Sequence, residues 1–489
     1  MRAGRPVSRT AGGMIVCALL LGVGCALQAG RPPGRPTILI GPDNRALISD
    51  FSDVEAVAAS SWFVYAATLH GLLIFDRALN RFRPPVTALD GYPAGRVRRA
   101  IADHTGNAVW LDLGTASGYV RYDVGGRVFT IGSLPSTEFD ATLTVQGALA
   151  RAPVADAMRA AILSDSRLRT HQFTAAAGTP DRPEIFFGTN GLGLVRVDKT
   201  TGEWDVLNYG LVTSAVGAVA IGSGGVWTAG NVLAGASEQR RGLSWVASDL
   251  SSTRTSEGPG AALGFSFLNS RRLVAIGEEL WLATDQGVLR INSSTFSSRL
   301  FDLPDATCLA RRSDGVWVGT TRGLARITND GIIESIEPRG VPVASLLAVG
   351  DTLWVGTRDG LGTVLPGAQQ ITTPPELADR PTLRVTIRAL APLRDTIVMA
   401  TDRELLWRDA VTREWSSMPL PLALGVPTAL AAARTGVWIG GTLGLAHADI
   451  ATRSLQFHSP IEVPVPVHDV AFDGANLWLA TDSGLVRIQ

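Results

Sequence analysis

Leu353-Trp354-Val355-Gly356-Thr357-Arg358-Asp359-Gly360-Leu361 contains a short apolar strand, a tight turn and the start of a second strand. An aromatic leads, a threonine closes the first run, two variable residues form the tip, and a glycine opens the next run. The same pattern spans Trp281 to Gly287, Trp317 to Gly323, Trp438 to Gly444 and Trp478 to Gly484, with the aromatic always six places before the glycine. Tyr65 to Gly71 keeps the spacing with tyrosine. Trp110, Phe186 and Trp227 lead looser copies, and Val398 leads one that has lost both aromatic and glycine. The ten leads are 36 to 54 residues apart, except for a step of 76 between Trp110 and Phe186. A period near 40 built from short strands predicts the four-stranded blades of a β-propeller.

The turn chemistry agrees with this. A threonine ahead of a two-residue tip can bond nearby backbone N–H groups, and the glycine supplies the positive φ of a tight hairpin. Runs such as Val316-Trp317-Val318 and Leu324-Ala325-Arg326-Ile327 are too short for helices and rich in strand formers. Small residues at Gly319, Gly356, Ala283 and Ala480 allow neighbouring sheets to approach closely.

These units resemble the two-component regulator propeller repeat, whose signature is close to Leu-Trp-Ile-Gly-Thr-x-x-Gly-Leu. The resemblance covers roughly residues 50 to 489 and is strongest in the last six units, Val398 apart. It implies β-propeller sheets of the kind used as periplasmic sensor regions. These 489 residues carry no kinase or regulator domain. A weaker similarity to quinoprotein-like propeller repeats, in Val197 to Trp204 and Asp409 to Trp415, is read as strand-connecting turns and not as a cofactor site; no cofactor is expected.

Hydrophobic content of 46% with 18% charged residues permits a large core. With 44 basic and 44 acidic residues, the formal charge of zero argues against a nucleic-acid footprint. Lys199 is the sole lysine, which reads as GC-rich coding more readily than as a guanidinium-specific role. Of three cysteines, Cys308 reads as a small buried hydrophobe, and no internal disulfide framework is available.

Arg2, Arg5 and Arg9 precede an apolar stretch from about Met14 to Val23, the pattern of a secretory signal over residues 1–25. Leu20-Leu21-Gly22-Val23-Gly24-Cys25 resembles a bacterial lipobox, which implies lipidation of Cys25. Simple cleavage after Ala26 or Ala29 is the rival. Residues 26–36 form a Pro/Gly tether, and 37–489 the propeller. The long step at Trp110 predicts an insertion over about 135–170 with a helix from Pro153 to Arg169, burying Val154, Met158, Ala161 and Leu163. The last unit ends after its third strand, so a segment within about 37–50 is expected to complete the sheet of Trp478. That joins both termini and favours a single ten-blade ring of four-stranded sheets.

The lead tryptophans lie mid-strand, where they pack between blades rather than form a sugar-binding ring. His447, His458 and His468 fall close together without metal-ligand spacing, so no metal site and no catalytic constellation is read. The turn tips are the candidate ligand- or partner-binding face: His70, Asp285, Arg322, Arg358, Asp359, Arg403 and Asp482. Their mixed charge suits a polar ligand or a protein. The expected role is a binding or scaffold module at the bacterial cell envelope, attached to the membrane by lipid if Cys25 is modified. The alternatives are a propeller enzyme acting on polysaccharide or a lactone, and a sensor with a separate membrane partner.

Overall fold

The threonine turn forms as its chemistry dictates. Thr357 Oγ1 donates to the Gly360 carbonyl at 2.8 Å and accepts from Asp359 N at 3.1 Å. The same clasp joins Thr320 to Gly323, Thr284 to Gly287, Thr481 to Gly484 and Thr68 to Gly71. Gly287, Gly323, Gly360 and Gly484 take φ between 122° and 149°. Where Glu404 replaces the glycine, Thr401 still clasps it at 3.2 Å. Thr442, one place late, instead accepts from Val426 N at 3.0 Å.

A computed structural model describes residues 38–489 except 42, 115–117, 134–141, 151, 232–241, 257–268, 379–383, 395, 410 and 435. The leader, the tether and Cys25 lie outside the described residues. Ile40–Gln489 is one compact unit. Among the described residues it is an all-β chain of ten antiparallel sheets, numbered here in chain order of their first strands. Sheets 1 to 3 begin at Val54–Ala59, Arg99–Ala102 and, behind an added strand Thr142–Leu143, Phe173–Ala177. Sheets 4 to 7 begin at Val216–Gly222, Ser270–Ile276, Ala306–Arg312 and Val343–Val349, and sheets 8 to 10 at Ala389–Leu393, Pro427–Ala432 and Val467–Phe472. Sheet 7 has three strands and not the expected four; in the fourth position Thr372 makes only an isolated bridge to Thr363. Among the described residues no helix is long and apolar enough to cross a membrane.

The lead aromatics are core. Trp317 and Trp478 are fully buried, and Trp281 stacks on Phe301 with centroids 5.6 Å apart. Their polar indole N–H groups are satisfied by carboxylates from the preceding turn: Trp317 donates to Asp314 at 3.0 Å and Trp478 to Asp473 at 2.9 Å. Arginines cover the rings, with Arg312 at 4.4 Å and Arg326 at 5.5 Å from the Trp317 centroid, Arg290 over Trp281 and Arg408 over Trp354. Reading the arginine excess as coding bias alone therefore misses a packing role that a compact ammonium fills less well. A Cβ at Gly356 or Gly319 would collide with Ile387 or Val343 of the next sheet, so these positions set the inter-sheet distance. Cys308 is buried, and burial pushes its thiol up to about 11.

Asp314 is held well below the usual carboxylate range, first by its hydrogen bonds from Arg312, then by those from Trp317 and Arg326. A depressed folded-state pKa stabilises above the unfolded value of about 4 and is lost as pH falls through the folded value. Asp314→Asn is therefore expected to melt below the parent at pH 7, with the gap closing as pH falls below about 4. Thermal melts across pH 2–7 check this; a pH-independent gap contradicts it.

The termini meet as expected. Arg45–Ile48 pairs antiparallel with Gly484–Ile488, from Arg45 opposite Ile488 to Ile48 opposite Leu485, and completes sheet 10. The order around the molecule is different. The first strands of sheets 4 to 10 adjoin in sequence, and Val467–Phe472 of sheet 10 adjoins Val216–Gly222 of sheet 4. The first strand of sheet 1 adjoins those of sheets 2 and 3. A single ring of ten in chain order needs sheet 10 beside sheet 1 and sheet 3 beside sheet 4, so that expectation is corrected. The physical reason is a shared core: Ile48, Phe51, Phe75, Phe186, Tyr209, Val219 and Trp478 bury together where sheets 1 and 3 meet sheets 4 and 10. The chain leaves sheet 10 at Ser49, builds sheets 1 to 3, and returns beside its departure point, where Leu211 N donates to the Ser49 carbonyl at 2.9 Å.

The inserted helix spans Ala152–Ser164, followed by a 3-10 turn over Ser166–Arg169. Val154, Met158 and Ala161 are buried against sheet 3, but Leu163 is 73% exposed and does not share their face.

Candidate functional site

The first strands of these sheets carry a recurring bulge. In sheets 5, 6, 7, 9 and 10 the ladder skips one residue near its start: Arg271, Thr307, Ala344, Thr428 and His468. In sheet 8 Arg388 stands just ahead of the ladder and donates its N–H to the Ala400 carbonyl at 2.8 Å. A bulge re-aims a side chain out of the ladder. Some of these side chains join the sheets: Thr428 Oγ1 donates to the Val467 carbonyl of the next sheet at 2.6 Å, and Thr307 does the same to Val343.

Together the bulges and the residues that follow them line a cavity of 60 Å³ shared by sheets 5 to 10. Its polar lining is Arg271, Arg272, Arg388, His468 and Asp469, with Thr307, Thr428 and Ser345, and its apolar lining includes Leu309, Leu346, Leu390 and Leu430. Asp469 is 1% exposed and accepts from Arg272 Nη1 at 2.6 Å, from Val219 N at 3.1 Å and from Val470 N at 3.0 Å. Burial still pushes its carboxyl above the ordinary value, against the pull of Arg272 and those N–H groups. His468 Nε2 lies 2.7 Å from Asp482 Oδ1, and Arg388 Nε 2.6 Å from Asp402 Oδ1. Arg271 stands 3.9 Å from Asp305, beyond hydrogen-bond reach.

The turn tips of sheets 5 to 10 lie at the same ends of their sheets as these bulges. In sheet 7, for example, Val343, just before the bulge, pairs with Thr357, just before the tip. The structure thus brings Asp285, Arg322, Arg358, Asp359, Arg403 and Asp482 to one end of this set. Two of the tips clasp a neighbouring loop: Gly340 N donates to the Arg322 carbonyl at 2.7 Å and Leu420 N to that of Arg403 at 2.7 Å. Arg322, Arg358, Asp359 and Arg403 are exposed, whereas Asp285 and Asp482 are half-buried, Asp285 accepting from Asn269 N at 3.2 Å. His70 is not part of this group. It is the tip of sheet 1, which adjoins sheets 2 and 3.

The lining residues Arg271, Arg272, Arg388 and Asp469 escaped the sequence reading, and His468 entered it only among the histidines without metal-ligand spacing. Their signal was present: charged residues at the start of first strands whose other positions are small or apolar. Histidine placement is structural elsewhere, with His447 packed 4.7 Å from Trp438 and His458 fully buried beside Glu462. Among the described residues no three His, Cys, Asp or Glu side chains are grouped to hold a metal.

No family profile matches the chain, and no curated protein matches it. Among similar solved structures is virginiamycin B lyase from Staphylococcus aureus, at 15% identity over 56% of this chain and 94% of that one, TM-score 0.44. A catalytically inactive variant of that lyase with quinupristin gives 15% identity, the same coverage and TM-score 0.45. The extracellular domain of a B. thetaiotaomicron protein described as a one component system gives 12% identity over 92% of this chain and 73% of that one, TM-score 0.41. At such identities and scores these likenesses assign neither ligand nor activity.

Proposed function

We propose that this chain is an exported, lipid-anchored β-propeller that binds a polar ligand or a protein at the cell envelope. Sheets 4 to 10 form a closed seven-blade ring, and sheets 1 to 3 are an insertion beside it. The binding face is the end where the turn tips gather. The observation that carries this is the convergence of Arg271, Arg272, Arg388 and His468 on one cavity, inside a rim of tips bearing both charges. A structural role alone does not call for several partly exposed charged residues in first strands.

The test is capture from envelope fractions with the parent chain and an Arg322→Ala/Arg358→Ala variant. The parent is expected to retain a partner that the variant loses, while both melt alike. Equal capture by the two ends this assignment of the face. In the same fractionation, Cys25→Ser is expected to move the protein from the membrane to the soluble fraction; a soluble parent with an unmodified N-terminus removes the lipid anchor.

A second reading has one observation in its favour. The His468–Asp482 pair, 2.7 Å apart at the cavity, has the geometry of a histidine oriented for acid–base work. It suits an enzyme acting on a polysaccharide or lactone. Turnover abolished by His468→Gln, with binding retained, is what that reading requires.

A further inference from the structure

Resting on the assignment of this face as the binding face, we infer that the cavity takes an oxyanion: a carboxylate or phosphate group carried by a larger ligand, held between Arg271 and Arg388. Three guanidinium groups line the cavity, against one acid, Asp469. That acid is buried and already bonded to Arg272 and to two backbone N–H groups. Arg272 is therefore committed to the fold. Among the described residues Arg271 has only Asp305, at 3.9 Å, and Arg388 shares Asp402 across a pair in which the acid is 51% exposed. Both arginines are themselves more than a third exposed. Such solvent-facing pairs are weak and exchange readily with an incoming anion.

Thr307 and Thr428 also line the cavity but spend their hydroxyls on the Val343 and Val467 carbonyls, which leaves Arg271 and Arg388 as the donors for a ligand. A cavity of 60 Å³ has room for a few waters at about 10–15 Å³ each, and so for an acidic group. Leu309, Leu346 and Leu390 offer the anion no donors, so charge-assisted bonds from the arginines hold it. The rim tips carry both signs, and the preference for an anion arises inside the cavity.

The experiment is calorimetric titration of the mature chain with sodium phosphate, sodium sulfate and sodium acetate, in Tris chloride at constant ionic strength. Saturable single-site binding by at least one anion is expected. Arg271→Gln and Arg388→Gln should each weaken it about tenfold or more, the scale of one lost charge-assisted hydrogen bond. Arg271→Lys and Arg388→Lys, which keep the charge, should fall between. Arg96→Gln, at an exposed arginine in the loop before sheet 2, should change nothing. Preference for phosphate or sulfate identifies a phosphate-like source, and preference for acetate a carboxylate. No binding by any of the three, or equal binding by the Gln variants, overturns the inference. If that happens while the Arg322→Ala/Arg358→Ala chain still loses its envelope partner, the ligand class falls and the face stands. If envelope capture also survives both sets of substitutions, the face falls too.

Discussion

Removing Arg45–Ile48 is expected to unfold the protein or lower its melting temperature sharply, although the deletion touches only the start of the folded chain. The strand makes four register pairs with Gly484–Ile488 and closes the outer edge of sheet 10. Ile48 is fully buried and Leu47 is 5% exposed, and the Ile48 carbonyl and Leu47 side chain sit directly against Gly484. Arg45 also bonds the Glu462 carbonyl at 2.6 Å and the Leu89 carbonyl at 2.9 Å, tying sheet 10 to its neighbours. Losing two large buried side chains costs about 2–5 kcal/mol each, against a total stability of about 5–15 kcal/mol. The bared edge of Gly484–Ile488 adds a template for aggregation. Replacing residues 51–210 by a short Gly/Ser linker is a much longer deletion with a milder expected result. Sheets 4 to 10 keep one another, sheets 4 and 10 lose the packing of Phe51, Phe75, Phe186 and Tyr209, and Ser49 and Leu211 already stand side by side. Circular dichroism melts of both proteins decide the matter. An unchanged melting temperature without Arg45–Ile48, or loss of cooperative melting on excising 51–210, contradicts the architecture.

What the sequence reveals and what it hides follow from the range of the interactions. The Thr-x-x-Gly clasp closes within four residues, so Thr357 and Gly360 are readable from the chain alone. So is the incomplete last unit, because a missing strand leaves a countable gap that Arg45–Ile48 fills. The order of sheets is a different kind of fact. The repeats of sheets 1 and 4 look alike in sequence, and only packing between Val216–Gly222 and Val467–Phe472 decides that sheet 10 sits beside sheet 4. His70 went astray for that reason: its turn is sound, but its neighbours differ. The cavity was hidden by the bulges, since a skipped residue is defined by the partner strand. Arg271, Thr307 and His468 share no residue type that would align them, and their common place emerges only from the ladders. Leu163 is nine residues from Val154, about half a turn off at 3.6 residues per turn, so the period itself turns it to solvent and the reading of one face was a miscount.

Asp469 is the point where those long-range contacts concentrate, and its removal should show it. One carboxylate, 1% exposed, joins sheet 10 to the Val219 N–H of sheet 4 and the Arg272 guanidinium of sheet 5. Asp469→Ala leaves two buried N–H groups without their acceptor and is expected to cost about 3–5 kcal/mol, the range for breaking a buried pair. Arg272→Met acts differently, because it strands the acid. Burial already raises the carboxyl of Asp469, and without Arg272 the opposing pull is gone. A raised folded-state pKa favours the protonated folded form. Stability in Arg272→Met is therefore greatest below the ordinary carboxylate range and is lost as pH rises through the folded value. Urea unfolding at pH 5 and pH 8 should find this variant more stable at the lower pH. His468 also acts on the Asp469 carboxyl, so the comparison includes Arg272→Met/Asp469→Asn, in which the extra pH dependence should disappear. Asp469→Ala costing less than about 1 kcal/mol, well under the range for a buried pair, would show that sheets 4, 5 and 10 hold together without this carboxylate.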